Sequence, residues 1–382
     1  MFLDVTRRRN PKLVETAKTL HKQGQILPNT YVLDLDAIMG NASLLKDCAE
    51  KADITLFFML KQIGRNPLVA KNIQKCGIDK AVAVDYTEAL TMMENDIPLG
   101  NVGHLVQIPQ NLLEKIICYK PDYITVYSLG FLQKIEYICK KHGIRQNILL
   151  KILESDNVVY EGQYGGFRLD ELTSIAKEKL EYANIVGLTS FPCLIFDAES
   201  KLSPTCNVDT LYTAKKILMG KGLVANQLNL PSATCCETIP LLKHLGATQC
   251  EPGHALTGTT PLHSIRDLPE LPAILYVSEI SHHYCGSSYF YGGGYYRRGH
   301  FENILVDDGK TEILASVTPF SSDNIDYHME TKGHYNIGAT VLGAFRTQIF
   351  TTRSDVAVVS GIQSEKPKIE GIFDSLGRRI QR

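Results

Sequence analysis

The sequence predicts an α/β fold, a (β/α)8 TIM barrel with a C-terminal mainly-β domain. From about residue 50 to 252, eight buried-strand patterns alternate with amphipathic helix patterns, which predicts parallel strands joined by helical crossovers. After residue 265 the helical periodicity mostly disappears, and strand-like runs are separated by Gly, Asp and Ser. The length of 382 residues accommodates one large barrel and a smaller second domain.

The predicted barrel strands are short apolar runs of the kind that is buried on both faces. They lie near residues 54–59, 80–84, 102–106, 123–126, 147–153, 184–188, 226–230 and 248–251. Between them apolar residues recur at helical spacing, as in residues 131–139 and 169–176, and Gly143 follows the first of these at a C-cap position. Eight strands favour a closed barrel, and an open doubly wound sheet is the alternative.

The change in sequence pattern also predicts the domain boundaries. The barrel is expected over residues 31–265 and the β domain over residues 266–382, joined by the proline-containing segment 267–272. Residues 1–30 form an N-terminal segment that we expect to join the β domain, because residues 31–35 look like a strand before the barrel's own first strand. The strand-like runs of the β domain are residues 273–281, 303–306, 312–317 and 355–359.

Composition argues against several classes of protein. The formal net charge is −1, so no overall field attracts nucleic acid or anionic lipid. The ten cysteines form no CxxC pair, which is typical of reduced, mostly buried thiols. Asp4 interrupts the N-terminal residues, and no apolar run reaches 18 residues, so we expect neither a signal peptide nor a membrane span. The expectation is a cytoplasmic protein without nucleic-acid or membrane partners.

Lys61 is the most informative residue of the chain. It ends the apolar run 54–60, and Gly64 and Pro67 then indicate a turn before the next helix. A lysine at the carboxyl end of a core strand lies where α/β barrels place their chemistry. Desolvation penalises the charged form of an amine, and a neutral amine is a nucleophile whose common partner is pyridoxal phosphate (PLP). Local context leaves a simpler alternative open, a lysine that extends into water.

Two loops have the composition of a phosphate site. Ser232 follows the seventh predicted strand, and Gly253 and Gly258 follow the eighth. Glycine lets the backbone approach an anion closely, and barrels bind phosphate in these two loops. Each loop alone is more often a helix cap or a turn, so the prediction depends on their joint position.

These motifs together resemble the fold-type III PLP family, that of alanine racemase and ornithine decarboxylase. The resemblance covers most of the chain in order: residues 31–41, the Lys61 strand, and residues 85–89, 165–172 and 251–253, followed by a β domain. Residues 251–263 and 344–350 resemble the YhfX-like branch of amino-acid racemases in particular. The resemblance implies an alanine racemase-like, PLP-binding barrel, and a homodimer whose active sites are shared between subunits.

The resemblance also assigns cofactor-binding positions. It implies that pyridoxal 5'-phosphate is covalently attached to Lys61, which would also carry a proton at the substrate's Cα. Ser232, Gly253 and the backbone amide of His254 match phosphate-binding positions. Glu251 matches the residue that faces the pyridine nitrogen, where alanine racemase has arginine and the decarboxylases have glutamate. A carboxylate there stabilises a protonated ring, which is the better electron sink.

One cofactor position departs from the family pattern. The barrel arginine that the family places near a cofactor oxygen falls on Tyr164. Such a change is expected to widen the substrate space or to weaken the tuning of the cofactor. We keep Tyr164 as a candidate cofactor-binding residue.

A racemase needs a second proton carrier on the opposite face of the planar carbanion. The element 288–295 resembles the family's tyrosine–glycine element, which gives that role to Tyr291. Tyr289, Tyr284 and Cys285 compete with it, since a cysteine in a comparable place serves the decarboxylases. His282 and Cys285 could contribute to a zinc site, but they are one pair and zinc needs four ligands, so no metal is expected.

The resulting expectation is a PLP-dependent amino-acid racemase or epimerase that acts through an external aldimine and a quinonoid. The alternative reaction class is a PLP-dependent lyase, an amino-acid decarboxylase or a D-3-hydroxy-amino-acid aldolase or dehydratase. A non-enzymatic PLP carrier is disfavoured because such barrels lack a second domain. A barrel that binds a phosphorylated sugar would not need a buried lysine.

Overall fold

The computed structural model describes residues 2–196, 201–321 and 323–381. The chain divides into two compact units. The barrel unit consists of Leu45–Met59 and Gly77–Pro252. The β unit consists of the chain up to Leu44, the segment Leu60–Cys76, and the chain from Gly253 onward.

The barrel unit is a nearly closed barrel of parallel strands that alternate with helices. In hydrogen-bonded order the nine strands are Thr55–Leu56, Gln249–Cys250, Gln227–Asn229, Ala183–Thr189, Gln146–Lys151, Tyr123–Val126, Leu99–Val102, Ala81–Ala83 and Phe58–Met59. The first and last of these flank Phe57, whose N–H donates to the carbonyl of Cys250 at 3.0 Å, while the N–H of Phe58 donates to Lys80 at 3.1 Å. The segment 55–59 therefore bonds to the last barrel strand on one side and to Ala81–Ala83 on the other, and its two short strands occupy one position of the barrel. This arrangement confirms the predicted (β/α)8 class over the open sheet.

The helices of this unit follow the strands along the chain. Gly143, at φ 64°, ends the helix Leu129–His142, as the sequence predicts. The stretch at residues 169–176 forms only a short turn and a four-residue helix. The helix Leu35–Lys51 contains residues of both units. The four-residue helix is Leu172–Ile175, and the other helices of the barrel unit are Tyr86–Glu94, Gln110–Cys118, Cys206–Gly220 and Ile239–His244.

One barrel strand lies earlier than the sequence predicts. The expected strand 102–106 is observed at Leu99–Val102. Gly103 has φ 85°, which an extended strand does not use, so the strand ends before it. Gly100 is required within the strand, because a Cβ there would lie 2.1 Å from the Phe57 ring. The observed strand has only two apolar residues, Leu99 and Val102, so its apolar pattern is weak.

The β unit contains a ten-stranded sheet to which both ends of the chain contribute. Thr30–Asp34 pairs antiparallel with Ile274–Tyr284 and parallel with Asp355–Ser360. The remaining strands are Ser287–Tyr291, Asn303–Asp307, Glu312–Ser316, His328–Lys332, Thr340–Gly343, Lys368–Phe373 and Arg379–Ile380. Its helices are Phe2–Arg9, Pro11–Lys22 and Pro67–Lys75.

The N-terminal helices of the β unit pack on this sheet. Leu13 and Ala17 are fully buried in one apolar cluster with Leu275 and Leu342. Burial of each of these leucine side chains stabilises the unit by roughly 1.5–3 kcal/mol. In the described ranges, no helix combines the length and apolar character needed to cross a membrane.

Candidate functional site

A buried carboxylate lies after the last barrel strand. Glu251 is 3% exposed, and its Oε1 accepts hydrogen bonds from the side-chain amides of Asn101 at 3.2 Å and Asn229 at 2.9 Å. The hydroxyl groups of Thr125 and Thr189 donate to the amide oxygens of these asparagines, at 2.9 and 3.1 Å. The threonines therefore orient both amide nitrogens toward Glu251. Donors aimed at a carboxylate favour its ionised form.

The two asparagines that hold Glu251 are not among the site residues predicted from the sequence. Asn101 and Asn229 lie on separate barrel strands and are both fully buried. A polar side chain is buried at little cost only when its hydrogen bonds are satisfied. A lone asparagine inside an apolar strand pattern is the sequence signal that could have identified each of them.

The structure places the other barrel-unit candidates in two loops. Ser232 is buried, and its Oγ accepts a 2.6 Å hydrogen bond from the N–H of Cys193, so the hydroxyl keeps its own hydrogen for donation. Tyr164 follows the strand Gln146–Lys151, and its side chain is 65% exposed. This hydrogen bond from Cys193 orients the Ser232 hydroxyl, whereas Tyr164 is mostly in solvent.

Lys61 belongs to the β unit, where it begins the short turn Lys61–Ile63. The lysine is buried, and Gly64 at φ 69° ends the turn. A Cβ added to Gly253 would lie 2.5 Å from the Nε2 of Gln62. The backbone at Gly253 therefore packs directly against the turn that contains Lys61.

His254 lies beside positively charged side chains of the β unit. Its Nε2 accepts a hydrogen bond from the Nε of Arg346 at 3.2 Å, and its Nδ1 lies 3.3 Å from the Oγ1 of Thr259. Burial, and then the positive charges of Arg346 and Lys61, hold the pKa of His254 well below its ordinary value. The ring is therefore neutral, and because Nε2 accepts, Nδ1 carries the hydrogen. Sequence reasoning proposed only the backbone amide of His254 and missed Arg346.

The candidate second proton carriers lie on a hairpin of the β unit. Tyr291 ends the strand Ser287–Tyr291, is 39% exposed, and has its ring 5.6 Å from that of His328. Tyr289, two residues earlier on the same strand face, stacks on His282 at 5.0 Å. Two phenols and two imidazoles thus share one face of the sheet.

The remaining candidates for the second proton carrier, Tyr284 and Cys285, lie at and beside the turn of the same hairpin. Cys285 is exposed at φ 47° in the turn before this strand, and Tyr284 is also exposed. His282 contacts His328 at 4.9 Å between ring centroids. Within residues 2–196, 201–321 and 323–381, no group of three or more His, Cys, Asp or Glu side chains could hold a metal ion.

A second lysine of the chain is more deeply buried than Lys61. Lys151 is 1% exposed, its Nζ donates to the carbonyl of Gln163 at 3.2 Å, and it lies 4.4 Å from the centroid of the Tyr127 ring. Burial lowers the pKa of Lys151 from 10.5 to about 8. Compared with the unfolded chain, the folded state therefore favours the neutral amine.

We expect Lys151→Met to raise the free energy of unfolding at pH 7 by about 1–3 kcal/mol, since one pKa unit corresponds to about 1.4 kcal/mol. The pKa of Lys151 is lower in the folded state than in the unfolded state, so the free energy of unfolding of the wild type rises with pH from about 8 to 10.5. The difference in free energy of unfolding between Lys151→Met and the wild type therefore becomes smaller over this range. Urea unfolding at pH 7 and pH 10 measures this difference, with the exposed Lys216→Met as the control. A less stable Lys151→Met at pH 7 would contradict the expectation.

Sequence comparisons match the whole length of the chain. The family described as alanine racemase, N-terminal domain, matches residues 33–261, and the one described as YhfX-like, C-terminal domain, matches residues 275–369. The chain is also 42% identical over 385 residues to "Uncharacterized protein YhfX" of Escherichia coli (strain K12), covering 100% of both chains.

Solved structures share the fold. An alanine racemase of Clostridium difficile 630 in complex with cycloserine superposes with a TM-score of 0.63 at 18% identity, covering 92% of this chain and 99% of that one. A D-threonine aldolase from Filomicrobium marinum superposes with a TM-score of 0.65 at 13% identity, covering 92% of this chain and 95% of that one. A diaminopimelate decarboxylase from M. jannaschii in co-complex with L-lysine superposes with a TM-score of 0.62 at 13% identity, covering 93% of this chain and 90% of that one.

These neighbours include a racemase, an aldolase and a decarboxylase, so the shared fold does not determine one reaction. The family matches cover the barrel and the C-terminal domain in order, and more than half of the chain falls within the first of them. The chain therefore belongs to the alanine racemase-like, fold-type III family of PLP enzymes, in its YhfX-like branch.

Proposed function

We propose that this protein is a PLP-dependent amino-acid racemase or epimerase that carries its cofactor on Lys61. The observation that carries the proposal is the buried Glu251 carboxylate, which Asn101 and Asn229 hold in place within a family whose enzymes use PLP. Tyr291 supports racemisation over decarboxylation, because a phenol on an ordered strand is suited to proton transfer, whereas Cys285 lies in the turn.

The residues present fit the cofactor. At Gly253 any Cβ would overlap Gln62, so only glycine fits there, and we propose that its backbone approaches the phosphate closely. Ser232 has a hydroxyl hydrogen to donate, and Glu251 is a buried acceptor for a protonated ring nitrogen. We propose that Ser232, Gly253 and the His254 amide bind the phosphate, and that Glu251 binds the ring. PLP, when bound, supplies an electron sink for charge at the substrate's Cα.

The chain's own residues then move the proton. We propose that the Lys61 amine removes or returns the Cα hydrogen on one face of the substrate. Inversion requires an acid on the other face, and Tyr291 of the partner subunit is proposed for it in a homodimer with shared active sites. Cys285 and Tyr289 are the competing residues, and Tyr164 stays a candidate for contact with the cofactor.

The function is tested by solvent-deuterium exchange. Purified protein loaded with PLP is incubated in D2O with single enantiomers of amino acids, and Cα deuteration and optical inversion are followed by NMR and chiral chromatography. A racemase deuterates Cα, interconverts the enantiomers and conserves the carbon count. Release of CO2 or an aldehyde would instead establish the lyase alternative, which the Glu251 carboxylate also supports because it stabilises the same type of carbanion.

We expect Tyr291→Phe to lower exchange from one enantiomer by about 10²–10³-fold and to leave exchange from the other within a few-fold, because Lys61 serves the opposite face. The initial deuteration rate of each enantiomer measures this asymmetry. Tyr289→Phe and Cys285→Ser are the matched controls. Equal slowing of both enantiomers, or the asymmetry appearing in Cys285→Ser instead, would reject Tyr291 as the second proton carrier.

We expect Gly253→Ala to raise the Kd for PLP by at least about tenfold, since the added methyl overlaps the Gln62 amide and displaces the proposed phosphate-binding backbone. Titration of apoprotein with PLP, followed by visible absorbance, gives the Kd. The control is Gly130→Ala, because no atom lies within 4 Å of a Cβ at that helical glycine. Unchanged PLP affinity in Gly253→Ala would remove residue 253 from the phosphate site.

A further inference from the structure

We propose that Ser278 is a positioning residue for Tyr291, and that its hydroxyl fixes the backbone from which the phenol reaches the second face of the substrate's Cα. The inference rests on the proposed function of Tyr291 and adds a buried residue to it. Its starting point is the hydrogen bond from Ser278 Oγ to the backbone carbonyl of Tyr291, at 2.7 Å. Ser278 is fully buried and lies 13 positions before Tyr291.

The position of Ser278 in the sheet explains why a side chain makes this contact. One edge of the strand Ile274–Tyr284 changes partner at Ser278: residues before it pair with Thr30–Asp34, and residues after it pair with Ser287–Tyr291. The second pairing ends at Ile280 and Phe290, one residue before Tyr291. The Tyr291 carbonyl therefore lies beyond the last backbone pair on this edge, and the Ser278 hydroxyl supplies the donor that a buried carbonyl needs.

A second buried hydroxyl reaches the same carbonyl. The phenol oxygen of Tyr276 lies 3.2 Å from the carbonyl oxygen of Tyr291, and it also lies 3.2 Å from Oδ1 of Asn29. A phenol has one hydrogen to donate, so Tyr276 serves one of these two acceptors at a time. The contact from Ser278 is the shorter of the two at Tyr291, so Ser278 is the main donor and Tyr276 the weaker one.

The glycines that follow Tyr291 are also held in place. A Cβ at Gly292 would lie 2.0 Å from the carbonyl oxygen of Asp326, so only glycine fits there. The carbonyl of Gly294 accepts a hydrogen bond from the Tyr31 hydroxyl at 2.5 Å. The chain is therefore fixed by strand pairing before Tyr291 and by these contacts after it, and Ser278 fixes the peptide group between them.

A fixed backbone matters here because proton transfer depends on the position of the phenol. A general acid acts only within hydrogen-bond reach of the atom that receives the proton, and a misplacement of about 1 Å costs up to about 100-fold in rate. The Tyr291 side chain is 39% exposed, with its ring 5.6 Å from that of His328. Lys61 serves the opposite face, so loss of the Ser278 contact affects only the transfer that uses Tyr291.

We expect Ser278→Ala to slow Cα deuteration from the enantiomer that depends on Tyr291 by about tenfold, and to change the rate from the other enantiomer by less than about threefold. Initial rates are measured by NMR in D2O on the PLP-loaded protein. The matched control is Thr331→Val, because the buried Thr331 hydroxyl also donates to a backbone carbonyl, that of Ser316 at 2.9 Å. This variant should keep both rates within about threefold.

Two further measurements separate positioning from a general loss of stability. In the double variant Ser278→Ala/Tyr291→Phe, exchange should equal that of Tyr291→Phe alone, because the hydroxyl acts through the phenol, whereas independent effects would multiply. Amide hydrogen exchange of apoprotein reports the backbone without substrate or cofactor. The peptide that contains Tyr291 should exchange at least about tenfold faster in Ser278→Ala than in Thr331→Val.

Tyr276→Phe gives an independent test that leaves Ser278 in place. It removes the weaker donor to the Tyr291 carbonyl and should produce the same enantiomer asymmetry, by about two- to fivefold. This variant decides the question if Ser278→Ala does not fold. Thermal unfolding of each variant establishes whether the fold is retained.

The outcomes separate the inference from the proposed function. Equal rates for both enantiomers in folded Ser278→Ala, additive slowing in the double variant, or unchanged amide exchange overturns the role of Ser278 and leaves the function intact. If Ser278→Ala does not fold, equal rates in Tyr276→Phe overturn it. If the wild type exchanges no Cα hydrogen, or if Tyr291→Phe shows no asymmetry, the proposed function of Tyr291 has failed, and the inference falls with it.

Discussion

Lys61→Ala protein is expected to lack the visible absorption band of the PLP-loaded wild type and to exchange Cα hydrogen at least about 10³-fold more slowly. The substitution removes both the nitrogen that would bond to the aldehyde carbon and the base that would take the proton. Lys61 is buried in the turn Lys61–Ile63. Absorbance after PLP addition and deuteration by NMR are the measurements.

Two further variants make the result for Lys61 specific. Lys61→Arg keeps the positive charge but cannot form the covalent linkage, and it should behave as Lys61→Ala does in both assays. Lys71→Ala removes an exposed lysine from the next helix and should leave both signals at the wild-type level. A Lys61→Ala protein that keeps the visible band would show that the cofactor is attached elsewhere.

The second large effect is expected at Glu251. In Glu251→Gln the amide oxygen can still accept from Asn101 and Asn229, so the amide nitrogen replaces the other carboxylate oxygen. In the proposed site a donor would then face the ring nitrogen and would not stabilise a protonated ring, so Cα exchange should fall on the order of 10²–10³-fold. The PLP Kd should change much less, because the proposed phosphate-binding residues are untouched.

Stability separates the electrostatic role of Glu251 from its structural role. Glu251→Ala leaves two buried asparagine amides without their acceptor and should lower the free energy of unfolding by about 1–3 kcal/mol, whereas Glu251→Gln should lower it by less. The control is the exposed Glu161→Gln. If exchange is unchanged in Glu251→Gln, the carboxylate is a structural group and not the partner of the ring.

Features set by local residues could be predicted from the sequence. The apolar run ending at Lys61 gave the first barrel strand, and Gly143 gave a helix end, because buried strands and left-handed caps depend on residues within a few positions. The strand Leu99–Val102 was misplaced because Gly100 accommodates the Phe57 ring, a requirement imposed by a distant residue. Local pattern thus identified the architecture better than the register of this strand.

The site was harder to predict because its contacts are distant in sequence. Glu251 was identified by motif, but Asn101 and Asn229, which hold it, come from two other strands of the closed barrel. Arg346 was part of a motif that the sequence analysis singled out, yet nothing in the sequence showed that it contacts His254. Only the folded chain shows which polar residues contact the proposed site residues.

The most direct test of the central claim is to map the reduced cofactor linkage. PLP-loaded protein is treated with sodium borohydride, digested and analysed by peptide mass spectrometry. We predict that the pyridoxyl-phosphate adduct is on the peptide that contains Lys61, in close to one copy per chain. An adduct on the other buried lysine, Lys151, or a protein that carries no adduct after loading, would contradict the account.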